Sequence, residues 1–264
     1  MGLTVLDDIY QHFRKEEKQF IDLAMDWKEF VERTYAEKLT DFLDPRQQFI
    51  LQSVVGDGPD VRYAFFGGGP SCERKRALIF PDYLKPQEDH FQIGLYEIDY
   101  PRKFVKLEHR MVLGSLMSLG IKREKFGDII VNGDRIQFFS STEIEDYIIS
   151  QFKEVGKANV TIQKLGLDEV IEREEEWVQM EKTASSMRLD AIISAAFSVS
   201  RQKAQSIIGQ KLVKLNWKIT EQPATDCFEG DMISARRLGR CKIIRILGET
   251  KKQKLRIQFG MVKS

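Results

Sequence analysis

RLDAIISAAFSVSRQKAQSII, residues 188–208, holds two short apolar helices with an arginine at the start of each. Leu189, Ile192, Ile193, Ala196 and Phe197 follow the i, i+3, i+4, i+7, i+8 spacing of a buried helical face. Ala204, Ile207 and Ile208 give the second helix a face of its own, and Ser200 is its cap. Arg188 precedes the first run and Arg201 follows the cap directly. A cation in the first turn opposes the helix macrodipole, so folding alone gives little reason for this pair. Two explanations compete: RLD is catalytic machinery, or the arginines face a polyanion.

Working outward, the net charge of +1 hides an asymmetry. Residues 183–264 carry 16 Lys+Arg against 6 Asp+Glu, whereas residues 1–182 carry 25 against 34. A basic C-terminal third on an acidic body points to a localised anionic partner, with nucleic acid the leading class. At 264 residues, 42% hydrophobic and 31% charged, the chain suits a globular protein of two or three domains. No apolar run approaches the roughly 20 residues a membrane span needs, and the acidic, amphipathic N-terminus is unlike a targeting peptide. Cys72, Cys227 and Cys241 are odd in number and widely spaced, so neither a disulfide framework nor a metal site is expected. The expected compartment is the cytoplasm, without membrane insertion.

Three regions separate, giving an α+β chain. Residues 1–75 read as helical, with stripes at Leu6, Ile9, Tyr10, Phe13 and at Leu23, Trp27, Phe30, Val31, Thr34. Asp44-Pro45 caps a third helix through Val54 that stops at GDGP, 56–59. Residues 76–165 read βαββαβ: strand 91–100, helix 108–120, strands 126–131 and 135–140 about Asn132-Gly133-Asp134, helix 141–156, strand 158–165. That order is ferredoxin-like, or RRM-like, with helices on one face of the sheet. Residues 166–182 form a charged connector, either a helix extension or a solvated linker. Residues 183–264 are the opening helices followed by short strands, the last turning Leu255, Ile257, Phe259 and Met261 inward.

The C-terminal region resembles the S4 RNA-binding domain through Arg188-Leu189-Asp190, Ser200-Arg201, Ala204, Ile207, Val213, Leu215-Asn216 and Gly230-Asp231. Lys211 stands where a turn glycine is common, and Trp217 replaces the glycine that usually follows the asparagine. VKLNWK (213–218), GDMIS (230–234) and RRLGR (236–240) are similar to the S4 domain of the YlmH family, except that Arg237 departs from Arg-Gly-x-Gly-Arg. FFGGGPSCERKR (65–76), with Gly69 and Cys72 differing from the family's pattern, and LGSLMSLGIKREKFGDIIV (113–131) extend the resemblance upstream, and it is weakest in the first helical region. It implies a non-enzymatic, RNA-binding bacterial protein of ribosome-associated quality control, with no cofactor. The implied partners are ribosomal RNA and tRNA on the obstructed 50S subunit and the tailing factor RqcH. Alternatives are an rRNA- or tRNA-modifying enzyme that uses S4 for delivery, and a cell-division adaptor.

The candidate RNA-binding residues are Arg188, Ser200, Arg201, Lys203, Lys211, Lys214, Asn216, Trp217, Lys218, Arg236, Arg237 and Arg240. Two packed helices would aim guanidinium groups and free backbone N–H groups at one phosphate surface. The competing reading has Arg188 pair with Asp190 or another carboxylate and simply tie the fold together. Asp190 itself reads as a helix-start carboxylate, because an amphipathic helix follows it directly and leaves no active-site loop. Trp217 either stacks on a base or covers the small core. Lys122, Arg123 and Lys125 offer a smaller second RNA contact, with Arg102, Lys103 and Lys106 before them; plain surface charge is the alternative. On the middle sheet an RRM's aromatic pattern is missing, and of the adjacent Phe138 and Phe139 only one can face outward. Gly67-Gly68-Gly69 is a turn without phosphate-loop spacing, and Glu73, Arg74 and Arg76 are polar residues without an assigned role. His12, His90 and His109 are scattered, so neither a metal site nor a catalytic pairing is expected.

Overall fold

The computed structural model describes residues 13, 15–56, 58–172 and 177–262. The chain divides into two compact units, residues 1–174 and 175–264. Leu6, Ile9 and Tyr10 of the first expected stripe lie outside the described residues.

The first unit opens with α1 (Lys18–Thr34), β1 (Lys38–Leu43), α2 (Pro45–Val55), β2 (Val61–Phe66) and β3 (Lys75–Pro81). The region that reads as helical is therefore mixed, its strands forming an antiparallel sheet in the order β1-β3-β2. Helix α2 starts as its sequence requires: Asp44 accepts from Gln47 N at 2.9 Å, and the Gln47 side chain accepts from Asp44 N. On α1 the inward residues are Ile21, Ala24 and Val31, whereas Leu23 and Phe30 of the expected stripe are 42% and 37% exposed. The apolar stripe is wider than the surface available to cover it.

The rest of this unit follows the βαββαβ order: β4 (Ile93–Asp99), α3 (His109–Ser118), β5 (Phe126–Asn132), β6 (Arg135–Ser141), α4 (Glu145–Gln151) and β9 (Thr161–Leu165). Between α4 and β9 a small hairpin of β7 (Glu154–Val155) and β8 (Ala158–Asn159) shortens both the expected helix and the expected final strand. Gly156 turns it at φ 63°. The sheet order β5-β6-β4-β9 is antiparallel throughout, the pattern of a ferredoxin-like domain.

The strand period of two builds four layers from these parts. Ala77 and Ile79 of β3 face α1 and α2, joining Val31, Leu51 and Val55. Leu78 and Phe80 point the other way and meet Leu95, Ile130 and Phe139 of the second sheet. Tyr96, Ile98, Ile136 and Phe138 then face α3 and α4 through Val112, Leu116 and Ile148. Phe138 and Phe139 are accordingly both 0% exposed. The sheet face that an RRM leaves open is filled here by the N-terminal sheet.

The glycine-rich segment seals these sheets. A Cβ on Gly68, whose φ is 94°, would lie 2.5 Å from the Phe139 ring. Gly68→Ala is expected to cost about 2 kcal/mol through strain and overpacking, read by urea unfolding of the full chain. Beyond the turn, Asp128 accepts from Glu73 N at 2.7 Å and Arg74 N at 3.1 Å. Arg74 reaches Phe42 O and Phe126 O, and Arg76 reaches Thr40 O and Gln92 O. Arg74 and Arg76 of the ERKR run thus tie neighbouring segments of the two sheets together.

The second unit contains β10 (Val178–Ala184), α5 (Leu189–Phe197), α6 (Arg201–Gly209), β11 (Val213–Leu215), β12 (Lys218–Ile219), β13 (Met232–Ala235), β14 (Gly239–Glu249) and β15 (Leu255–Val262). Its six-stranded sheet runs β10-β15-β14-β13-β11-β12. Strand β10 begins within the segment that reads as a connector, and its 178–182 portion pairs with β15. The apolar faces of α5 and α6 pack on Ile233, Cys241, Ile243, Ile257 and Phe259. Burial pushes the Cys227 and Cys241 thiols up to about 12, aided by Asp231 and Asp226 at Cys227 and by Cys227 at Cys241. Both are inert core residues at neutral pH.

Candidate nucleic-acid interface

Asp190 organises the helix pair. Its side chain is 0% exposed, inside an otherwise apolar run. Arg188 donates to it through Nε and Nη2, each at 3.3 Å, and Arg201 donates at 3.0 and 3.2 Å. Gln205, one turn after Arg201 on α6, adds a bond of 2.8 Å. Burial alone would raise this carboxyl; the bonds from Arg201, Arg188 and Gln205 outweigh it and hold the group well below the usual carboxylate range.

Both arginines therefore have a structural partner, which the sequence offered only for Arg188. Each still leaves part of its guanidinium at the surface, with side chains 41% and 48% exposed. The expected free N–H groups at the start of α5 are occupied: Leu189 N donates to Thr225 O at 2.8 Å and Asp190 N to Pro223 O at 3.1 Å. Ser200 is an N-cap, accepting from Lys203 N at 3.1 Å, and the Lys203 side chain is exposed. The helix starts are thus a clamp whose outer edges alone reach solvent.

A second group sits on turns. Asn216 and Trp217 are the two-residue loop between β11 and β12, with Leu215 opposite Lys218. Their φ values are 47° and 63°, as a type I′ hairpin loop requires. The Asn216 amide donates to Asp231 at 2.8 Å and accepts from Met232 N at 2.9 Å, so Asn216 locks the loop. Trp217 is half-buried and stands apart from the residues packed on the helix–sheet core. On the turn between β13 and β14, Arg236 and Arg237 are exposed, and Arg236 N donates to Leu212 O. This bond brings the turn beside Lys211, whose ammonium lies 3.5 Å from Glu221. Lys214 and Arg240 flank Ser234 in one cross-strand row. Lys218 is half-buried beside the hairpin loop.

The smaller second contact is largely committed elsewhere. Arg123 donates to Phe126 O at 2.6 Å and Gly127 O at 3.1 Å. Burial, with Arg74 nearby, lowers its pKa to about 10. Lys125 bridges Asp41 and Glu143, leaving Lys122 as the exposed member. Among the described residues no cluster of histidine, cysteine and carboxylate groups has a metal-binding arrangement, and no helix is long and apolar enough to cross a membrane.

A family model described as a putative RNA-binding domain in YlmH matches residues 86–169, and the S4 domain model matches residues 187–233. Over 254 residues the chain is 44% identical to Ribosome-associated protein quality control protein P2 of Bacillus subtilis (strain 168), covering 96% of this chain and 98% of that relative. The chain belongs to the YlmH family. A solved structure, cell division protein ylmH from Streptococcus pneumoniae, is 34% identical with a TM-score of 0.54, covering 62% of this chain and 99% of its own.

Lys211 and Trp217, which replace glycines of the general S4 pattern, and Arg237, which replaces a glycine of the YlmH pattern, share one geometry. Lys211, Trp217 and Arg237 have φ values of 62°, 63° and 70°. The left-handed backbone that glycine adopts freely is kept, while each position carries a large cationic or aromatic side chain. Such residues are strained there by about 1–3 kcal/mol each. The signal was present in the sequence as three missing glycines; what it lacked was the sign of φ.

Proposed function

We propose that this chain is a non-catalytic RNA-binding protein that docks on the large ribosomal subunit during quality control of stalled nascent chains. Its C-terminal unit would contact ribosomal RNA and, on an obstructed subunit, tRNA. It would act in the cytoplasm in support of tailing by RqcH. The quality-control part rests on the name of the Bacillus subtilis relative, and the RNA part on the S4 domain.

The observation that carries the assignment is the mounting of Lys211, Trp217 and Arg237 on left-handed backbone. Glycine would suit each of these backbone positions better, so we read the three side chains as placed there for a ligand. Lys203, Lys214, Lys218, Arg236 and Arg240 would supply attraction for phosphate, and the outer edges of Arg188 and Arg201 would add two forks. Trp217, outside the core, supplies a stacking surface.

Co-sedimentation with purified 30S subunits, 50S subunits and peptidyl-tRNA-bound 50S subunits across a salt series tests this. Selective 50S binding, strengthened by peptidyl-tRNA, is expected. Replacing Lys214, Arg236 and Arg237 together by glutamine is expected to flatten the log–log salt slope by about 2–3, since each phosphate contact contributes roughly 0.7–0.9. These positions leave the Asp190 clamp intact, which changes at Arg188 or Arg201 would not. Equal binding to every particle, or none, rejects the proposal.

A further inference from the structure

The middle domain matches a putative RNA-binding domain, yet the sheet face on which an RRM stacks bases is closed by the N-terminal sheet. If the domain touches RNA, it does so elsewhere. The largest apolar exposure among the described residues is at Phe104, 87% accessible, in the loop between β4 and α3.

This loop is braced by backbone hydrogen bonds. Phe104 N and Val105 N both donate to Pro101 O, at 2.9 and 3.2 Å, and Arg102 N donates to Tyr100 O at 2.7 Å. The Arg102 guanidinium bonds Glu97 at 3.2 Å and lies 5.8 Å from the centre of the Tyr100 ring. Tyr100 and Leu107 are buried and Val105 packs against the same core. Phe104 alone turns outward from a segment whose other apolar residues turn in. Lys103 and Lys106 beside it are exposed and form no ion pair among the described residues.

We propose that Phe104, flanked by Lys103 and Lys106, is a second RNA-contact point that stacks on an unpaired base and pairs with adjacent phosphates. An exposed ring on a hydrogen-bonded loop, with an exposed lysine on each side, fits a nucleotide better than an apolar protein groove, because both phosphate and base are then recognised. The inference rests on the RNA-binding reading above and adds to it a site far along the chain from the S4 residues.

The test uses the full chain and purified 50S subunits. With p-benzoylphenylalanine at position 104, irradiation is expected to give crosslinks to rRNA or tRNA nucleotides. Phe104→Ala is expected to weaken binding roughly 5- to 150-fold without changing the salt slope, since stacking releases no counterions. The Lys103→Gln/Lys106→Gln pair is expected to lower that slope by roughly 1.4. Crosslinks to ribosomal protein alone, or wild-type affinity for Phe104→Ala, overturn the inference. If Phe104→Ala binds normally while the triple glutamine variant does not, this site fails and the S4 reading stands. If the unaltered chain binds no particle, both fail.

Discussion

Asp190→Ala is expected to destabilise the C-terminal unit by about 3–4 kcal/mol, near the lower end for removal of one partner from a buried ion pair. The carboxylate is fully buried, so its removal deletes five hydrogen bonds at once and opens a void at the meeting of α5 and α6. The two arginine side chains are 41% and 48% exposed and can rehydrate, which keeps the loss from being larger. Amide hydrogen exchange across residues 189–197 measures this directly, and protection there is expected to fall by roughly 100-fold or more. Protection within tenfold of wild type would show that the clamp contributes little.

The same carboxylate fixes a pH dependence. Its folded pKa is depressed, so the stabilisation is present above the unfolded value of about 3.9 and is lost as pH falls through that value toward the folded one. Stability of the C-terminal unit is therefore expected to be insensitive to Asp190 between about pH 5 and 8 and to drop in acid. The Asp190→Ala chain should lack that part of the acid response.

Trp217→Gly is the second large expected effect, and its two readouts should diverge. Glycine suits the left-handed position that Trp217 occupies at φ 63°. Relief of strain and loss of the partly covered indole nearly cancel, so folding stability is expected to change by less than about 1 kcal/mol. Removing a buried tryptophan would instead cost about 3–5 kcal/mol. Affinity for 50S subunits is expected to fall roughly 5- to 150-fold, the usual range for one lost base stack. Urea unfolding beside co-sedimentation separates the outcomes. Equal losses in both would make Trp217 a packing residue.

How much of this was legible in the sequence depended on where each residue's partners lie. The helix pair was readable because its apolar periodicity is local: Leu189, Ile192, Ile193 and Ala196 are all buried as spaced. The βαββαβ order was readable for the same reason, with the Asn132-Gly133-Asp134 turn marking its central hairpin. Strand β1 was not, because KLTDFL has no clean alternation and Thr40 is buried for its bond to Ala77 N. Strand β10 was hidden by charge, since an edge strand tolerates the residues of a linker. Burial of Phe139 could not be read either, because it depends on a second sheet arriving from another part of the chain. At the candidate interface the arginines were visible, but Asp190's claim on Arg201 and Gln205 spans 11 and 15 residues. A lone aspartate in an apolar helix did carry a usable signal, since a buried carboxylate demands cations.

The pairing of β10 with β15 has a mechanical consequence. Val178, near the entry to the C-terminal unit, lies opposite Met261 at its exit, and β10 is the outermost strand. Tension applied between these two points would load the ladder one residue pair at a time, starting at Val178 and Met261, and peel the edge strand away like a zipper. Shear, which loads every bond together, would arise only if the load were applied at opposite ends of the two strands. Loaded in this way, the unit would begin to yield at its own ends, with its edge strand first.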